Sequence, residues 1–234
     1  MSLNAVKMLE ISVTNSSKID ILEEMKKYLD YRGKKTQKSL KIFTPNTEQL
    51  VYAAKNRHFA DILNQADVAL PDGIGVVWAG RMLTKNGPKT VIPGVEFMED
   101  LVRIAANRHV PIGLIGGEGK VAVEAFECLQ KKYPGLTTSL NPRVIFVALG
   151  APKQEYFIAV AAKKTPGIIF MAVGGSFDII AGRLPRAPVF FRKLGLEWFW
   201  RLLLQPWRFW RQLALIEFVW LVLREKLSRG TEMY

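Results

Sequence analysis

A chain of 234 residues, 49% of them hydrophobic, holds enough material for one α/β domain with an appendage or for two small domains, and is too apolar to be disordered. One cysteine, Cys128, excludes an internal disulfide and fits a reducing compartment, while two histidines without a Cys/His cluster speak against a zinc site. The net charge of +12 favours anionic partners: nucleic acid, anionic lipid or phosphorylated substrates.

In chain order, a strand is expected near residues 9–13 and a helix over 17–31. Five short, β-branched apolar runs bounded by Gly or Pro then read as strands: 41–44, 68–70, 111–115, 144–149 and 168–173. Helical patterns fill the intervals at 47–56, 59–66, 75–83, 95–107, 120–133 and 154–164. The alternation predicts a Rossmann-like layered α/β fold with a mostly parallel sheet. Cys128 lies in a helical pattern and reads as a buried small apolar residue. The first residues lack a signal-peptide core. Residues 137–140 look extended, yet only Asn141-Pro142-Arg143 separate them from the next strand. A parallel crossover needs about a dozen residues or more, so 137–140 is not a parallel neighbour of 144–149.

Each strand runs into a loop of distinctive chemistry: Thr44-Pro45-Asn46, Pro71-Asp72-Gly73, Gly116-Gly117-Glu118-Gly119, the stretch from Gly150 through Lys153 and Gln154 to Glu155, and Gly174-Gly175-Ser176. Parallel strands gather all five on one sheet edge, where α/β folds bind ligands. Each also has a plain reading. Asp72 can be a turn former, Asn46 or Thr47 a helix cap, Gln154 a helix opener and Lys153 a solvated charge. Gly117-Glu118-Gly119-Lys120-Val121-Ala122 fits a G-x-G-x-x-A phosphate loop, but no acid follows about 20 residues on to hold a ribose, which disfavours NAD. It is not a Walker A loop either. No D-x-D carboxylate pair occurs, so no metal site for a nucleotide sugar is visible.

The tail from residue 191 carries eight Lys/Arg against four acids and five of the six tryptophans. Its uncharged runs fall well below the roughly 20 residues of a membrane span, and Pro206 interrupts any helix. Trp, Leu and Arg in this mixture suit a bilayer interface; a packed terminal helix pair with its arginines in water is the alternative. The expected division is an α/β domain over 1–190 and a helical, membrane-associating appendage over 191–234.

These motifs together resemble the WecG/TagA/CpsF family of bacterial glycosyltransferases (glycosyltransferase family 26). The resemblance runs from about Leu40 to Arg224. It rests on Thr44-Pro45-Asn46 with Glu48, Pro71-Asp72-Gly73-Ile74-Gly75, the stretch from Phe146 to Glu155, Gly174-Gly175-Ser176-Phe177-Asp178, Arg186-Ala187-Pro188, and Arg192 through Trp198 with Arg201, Pro206, Arg208 and Arg211. It implies inverting, metal-independent transfer of N-acetylmannosamine, or its uronic acid, from UDP to undecaprenyl-diphosphate-linked GlcNAc in teichoic acid or surface polysaccharide synthesis. No cofactor is implied beyond the UDP-sugar donor, and no nucleic-acid partner. Asp72 would be the general base. Thr44, Asn46 and Gln154 would line the pocket. Arg201, Arg208 and Arg211 would complete it over the substrate phosphates. Gly116, Gly117, Gly150 and Lys153 are the further candidate contacts. The expected location is the cytoplasmic face of the membrane, held through residues 191–234, with self-association through the tail away from it. A non-catalytic basic module that binds lipid-linked phosphates is the alternative function.

Two departures from the family pattern stand out. Val91 replaces the usual Arg three residues before Gly94, and Glu96 stands where Asp is usual. The strand, loop and helix that members carry between Gly135 and Val144 are nearly gone.

Overall fold

The computed structural model describes residues 3–30 and 37–231. An N-terminal hairpin, β1 (Ala5–Met8) and β2 (Ile11–Thr14), leads into helix α1 (Lys18–Asp30). The α/β alternation follows: β3 (Leu40–Phe43), α2 (Thr47–Lys55), α3 (Arg57–Leu63), β4 (Val68–Ala69), α4 (Ile74–Leu83), α5 (Gly94–Asn107), β5 (Ile112–Gly116), α6 (Val121–Lys132), β6 (Val144–Ala148), α7 (Lys153–Lys164), β7 (Ile169–Ala172) and α8 (Ser176–Ile180). The tail forms α9 (Val189–Lys193), α10 (Glu197–Leu204), a single 3-10 turn (Pro206–Arg208) and α11 (Phe209–Thr231). Pro206 opens that turn, where its missing N–H costs nothing, and so separates α10 from α11.

Strands β4-β3-β7-β6-β5 form a five-stranded sheet, parallel throughout. Its interior strands are apolar at almost every position because helices cover both faces. Ile42, Val144, Phe146, Ile169 and Met171 face α1, α5, α6 and α8. Phe43, Ile145, Val147, Phe170 and Ala172 face the hairpin, α2, α3, α4, α7 and α11.

Two expectations need correction. The strand expected near 9–13 is a hairpin whose turn falls inside that range, at Leu9 (φ 46°) and Glu10 (φ 63°). Neither residue carries a turn signature, so the sequence hides the bend. The Leu9 N–H donates to Glu225 of α11 at 2.9 Å, which holds it. Cys128 lies on α6, as expected, but on its exposed side.

The short connection before β6 is solved without a crossover. Thr138 makes one parallel bridge to Ile112, on the side of β5 away from β6. Thr138 and Val144 therefore flank the first residue of β5, and residues 139–143 pass beneath it. The Ile112 N–H donates to Thr137 O and the Arg143 N–H to Pro111 O, both at 3.0 Å, fixing the underpass at each end.

Candidate active site

The C-terminal edge of the sheet carries all five loops, in the order Asp72, Thr44–Asn46, Gly174–Ser176, Gly150–Gln154 and Gly116–Gly117. Four inter-strand steps of about 4.8 Å place Gly116 roughly 19 Å from Asp72 along that edge. Gly116 (φ 90°) and Gly117 (φ 82°) both adopt a left-handed backbone. A side chain on Gly117 would strike Val121 of α6, so the chain turns there only because it is bare.

Asp72 follows β4 at the other end. Its N–H donates to Pro45 O (3.3 Å), and the Ile92 N–H donates to Pro71 O (3.0 Å), so two neighbouring segments clamp the turn. Gly94, the first residue of α5, directs its N–H at the Asp72 carboxylate. A Cβ on Gly94 would lie 3.2 Å from Thr44 Cγ2 and 3.7 Å from Asp72 Oδ2. Asp72, the buried Thr44 and the start of α5 thus meet at one point. Burial pushes the Asp72 carboxyl up to about 6 from the ordinary 3.8. The Arg201 charge pulls it down, Glu197 pushes it up and the Gly94 N–H pulls it down. Asp72 keeps some exposed surface, but protein atoms crowded around its carboxyl disfavour the charged form and make the carboxylate a better proton acceptor near neutral pH.

Arg201 and Glu197 come from α10, more than a hundred residues further along, and pair with each other at 3.5 Å. The tail reaches the site through small contacts. A Cβ on Gly195 would collide with Ile74, two residues after Asp72. Gly75 sits so close to Thr47 that a Cβ would come within 2.4 Å of Thr47 Cγ2, and 3.6 Å from Phe218 of α11. Phe218 and Val222 are themselves buried in the core. Arg229, near the end of α11, donates to Leu83 O and Lys7 O. The side chains of Arg208 and Arg211 lie outside the described residues; their backbones fall in the 3-10 turn and in α11.

The other expected residues take less direct places. Asn46 caps α2, its Oδ1 accepting from Gln49 N at 3.0 Å. Lys153 is exposed at the start of α7, and Gly150 (φ 72°) turns the chain into it. Gln154 is only 2% exposed. Its amide is engaged internally: Oε1 accepts from Gly174 N at 3.1 Å, and Nε2 donates to Glu155 at 2.8 Å.

Sequence reasoning missed two acids. Glu96, on the first turn of α5, accepts from Arg186 (2.5 Å) and Arg192 (3.3 Å), the two arginines that lead into the tail. It ties the strap carrying Arg201 to the helix whose start holds Asp72. Its signal was present as Arg186 and Arg192 with no assigned partner. Glu155 is fully buried beside Gln154, and an acid in the first turn of a helix gives no sign of that.

Among the described residues no helix is long and apolar enough to cross a membrane, and no group of three or more His, Cys, Asp or Glu could hold a metal ion. The tail nonetheless bares Phe190, Trp207 (71%), Trp210 (75%), Ile216 and Leu227.

Comparison with known proteins fits this geometry. The model of the glycosyl transferase WecG/TagA/CpsF family matches residues 6–140 and 138–232. The two stretches meet in the loop that passes under β5. A Bacillus subtilis (strain 168) protein named N-acetylglucosaminyldiphosphoundecaprenol N-acetyl-beta-D-mannosaminyltransferase is 33% identical over 235 residues, covering 92% of this chain and 89% of its own. A Staphylococcus aureus (strain NCTC 8325 / PS 47) protein of the same name is 30% identical over 240 residues, covering 94% and 93%.

Proposed function

Because the chain belongs to the WecG/TagA/CpsF family of glycosyltransferases, we propose that it moves an N-acetylmannosaminyl group from UDP to undecaprenyl-diphosphate-linked GlcNAc, with inversion and without a metal ion. The names of its relatives supply the acceptor, the transferred sugar and the β product. From an α-linked donor, a β product means inversion.

The observation that carries the reading is the setting of Asp72: its carboxyl is raised by burial, held by the Gly94 N–H and lies within the electrostatic reach of Arg201 from the tail. Asp72 takes the proton from the acceptor hydroxyl. That oxygen attacks the anomeric carbon from the face opposite UDP, and the bond to the diphosphate oxygen breaks as UDP leaves with the electron pair. General-base catalysis of this kind is worth about 10² to 10⁴-fold. The departing diphosphate needs positive charge, and Arg201, whose charge is felt at the base, is proposed to give it. The N–H groups at the start of α5 add to the same field. Arg208 and Arg211 are proposed to serve the same diphosphate, and the exposed aromatic tail to rest on the membrane that holds the lipid acceptor.

The test is transfer from UDP-N-acetylmannosamine to a GlcNAc-diphosphate-lipid analogue, with and without a chelator. Transfer is expected in both, and Asp72→Asn is expected to fold and to lose at least about 10²-fold in turnover. Near wild-type turnover by Asp72→Asn would remove the base assignment. Binding of the acceptor without any transfer would favour the non-catalytic module.

A further inference from the structure

The mechanism leaves one buried acid unused. Glu155 has no exposed surface, and its Oε1 accepts twice, from Gln154 Nε2 at 2.8 Å and from Gln49 Nε2 at 3.1 Å. Two buried oxygens in the same cluster are left without a partner: Glu155 Oε2 and Gln49 Oε1. Both are acceptors when Glu155 is ionised. A buried ionised carboxylate with a bare oxygen is costly, and so is a bare amide carbonyl.

One proton removes both deficits. With Glu155 protonated on Oε2, its O–H can donate to Gln49 Oε1 while Gln49 Nε2 donates to Glu155 Oε1. Acid and amide then face each other through two complementary hydrogen bonds. We propose that Glu155 is held as a neutral carboxylic acid in such a pair with Gln49, and that this acid–amide pair is the positioning element for the loops after β3, β6 and β7. The connections run across the sheet edge. Gln49 N bonds the Asn46 side chain, Gln49 and Gln154 bond Glu155, and Gln154 Oε1 receives Gly174 N.

Burial raises the Glu155 carboxyl above its ordinary range, against the opposing bonds from Gln154, its own N–H and Gln49. No charge is among these causes. Glu48, Tyr52 and Lys55 on α2, Arg57, His58 and Asp61 on α3, Lys41 on β3, Asp178 on α8, and Lys153, Tyr156, Lys163 and Lys164 on α7 are the titratable and charged groups of these elements. Of these Tyr156 feels Glu155: its phenol is raised by burial, then by Tyr52 and Glu155.

The proposed protonation state rests on the two partnerless oxygens beside the Gln49–Glu155 hydrogen bond, whereas its effect on substrate rests on the glycosyltransferase reading. The experiment separates them. The full chain, labelled with 13C at glutamate carboxyls, is examined by NMR at neutral pH, with Glu155→Gln identifying the Glu155 signal. A neutral carboxyl that does not titrate with the surface glutamates is expected; an ionised one overturns the proposal, whatever the activity. In parallel, KM for the UDP-sugar is measured for Glu155→Gln and Glu155→Leu. The glutamine can repeat both hydrogen bonds, so KM and the thermal midpoint should match wild type. The leucine should raise KM about tenfold or more, the size of one lost buried hydrogen bond, with a smaller change in kcat. Glu155→Gln behaving like Glu155→Leu, or failing to fold, overturns the acid–amide pair. Glu155→Leu keeping the wild-type KM overturns the positioning role.

Discussion

As the proposed base, Asp72 would set the pH behaviour of the site. An acid whose native value lies near 6 and whose unfolded value lies near 3.8 binds its proton more tightly when folded. Its contribution to stability is complete below the unfolded value and is lost as pH rises through about 6. Activity runs the opposite way, because only the ionised form accepts a proton. kcat/KM should rise through a pH near 6 and then level off. Removing the nearby positive charge with Arg201→Ala should move that limb to higher pH, and Glu197→Gln should move it lower; a limb unmoved in both variants would separate Asp72 from α10. Asp72→Asn should raise the thermal midpoint above pH 6 while abolishing the limb. Gly75 works through space. Gly75→Val would drive a side chain into Thr47 and displace the cap of α2, costing about 1–3 kcal/mol by overpacking, which denaturant unfolding reads directly.

At the scale of elements, the tail is both strap and core. α10 brings Arg201, while α11 buries Phe218 and Val222 against α2 and α4. Deleting everything after residue 190 would open that core as well as the site. Point changes separate the two. Phe218→Ala should cost about 3–5 kcal/mol in global stability and loosen α10, lowering turnover in the molecules that stay folded. A stability loss under 1 kcal/mol would mean that α11 is not part of the core. Glu96 matters for the same reason. It holds Arg186 and Arg192, so the strap is anchored on α5 before it reaches Asp72.

The whole molecule carries +12, and its exposed aromatic residues concentrate on one long tail. Binding to vesicles containing anionic lipid should weaken as salt rises, because charge attraction is screened, while an aromatic component persists. Trp207→Ser with Trp210→Ser should remove the salt-resistant part in a sedimentation assay, and undiminished binding would exclude the tail as the contact. Much of this arrangement was legible in the chain. Short β-branched runs bounded by Gly and Pro located every strand of the sheet, and parallel topology alone gathers their loops. The hairpin was not legible, because Leu9 and Glu10 bend without a turn residue. The ties of Glu96 to Arg186 and Arg192 and of Gln49 to Glu155 were not legible because they join different elements, 106 positions apart for Gln49 and Glu155. The bridge of Thr138 to Ile112 was legible only as an impossibility, a connection too short for the crossover it replaces.

If Arg201 completes the site as proposed, the strap also sets when the enzyme can first act. Asp72 and its loop are synthesised early, but Arg201 follows more than a hundred residues later, and the helix that seats α10 comes last. Closing so long a loop yields nothing until its far end has docked. A chain still emerging from the ribosome would therefore hold an aspartate without its arginine and a sheet face still lacking Phe218 and Val222. On the proposed roles, catalysis would begin only after translation has passed the aromatic segment proposed to rest on the membrane, which would couple synthesis of the strap to docking and activity.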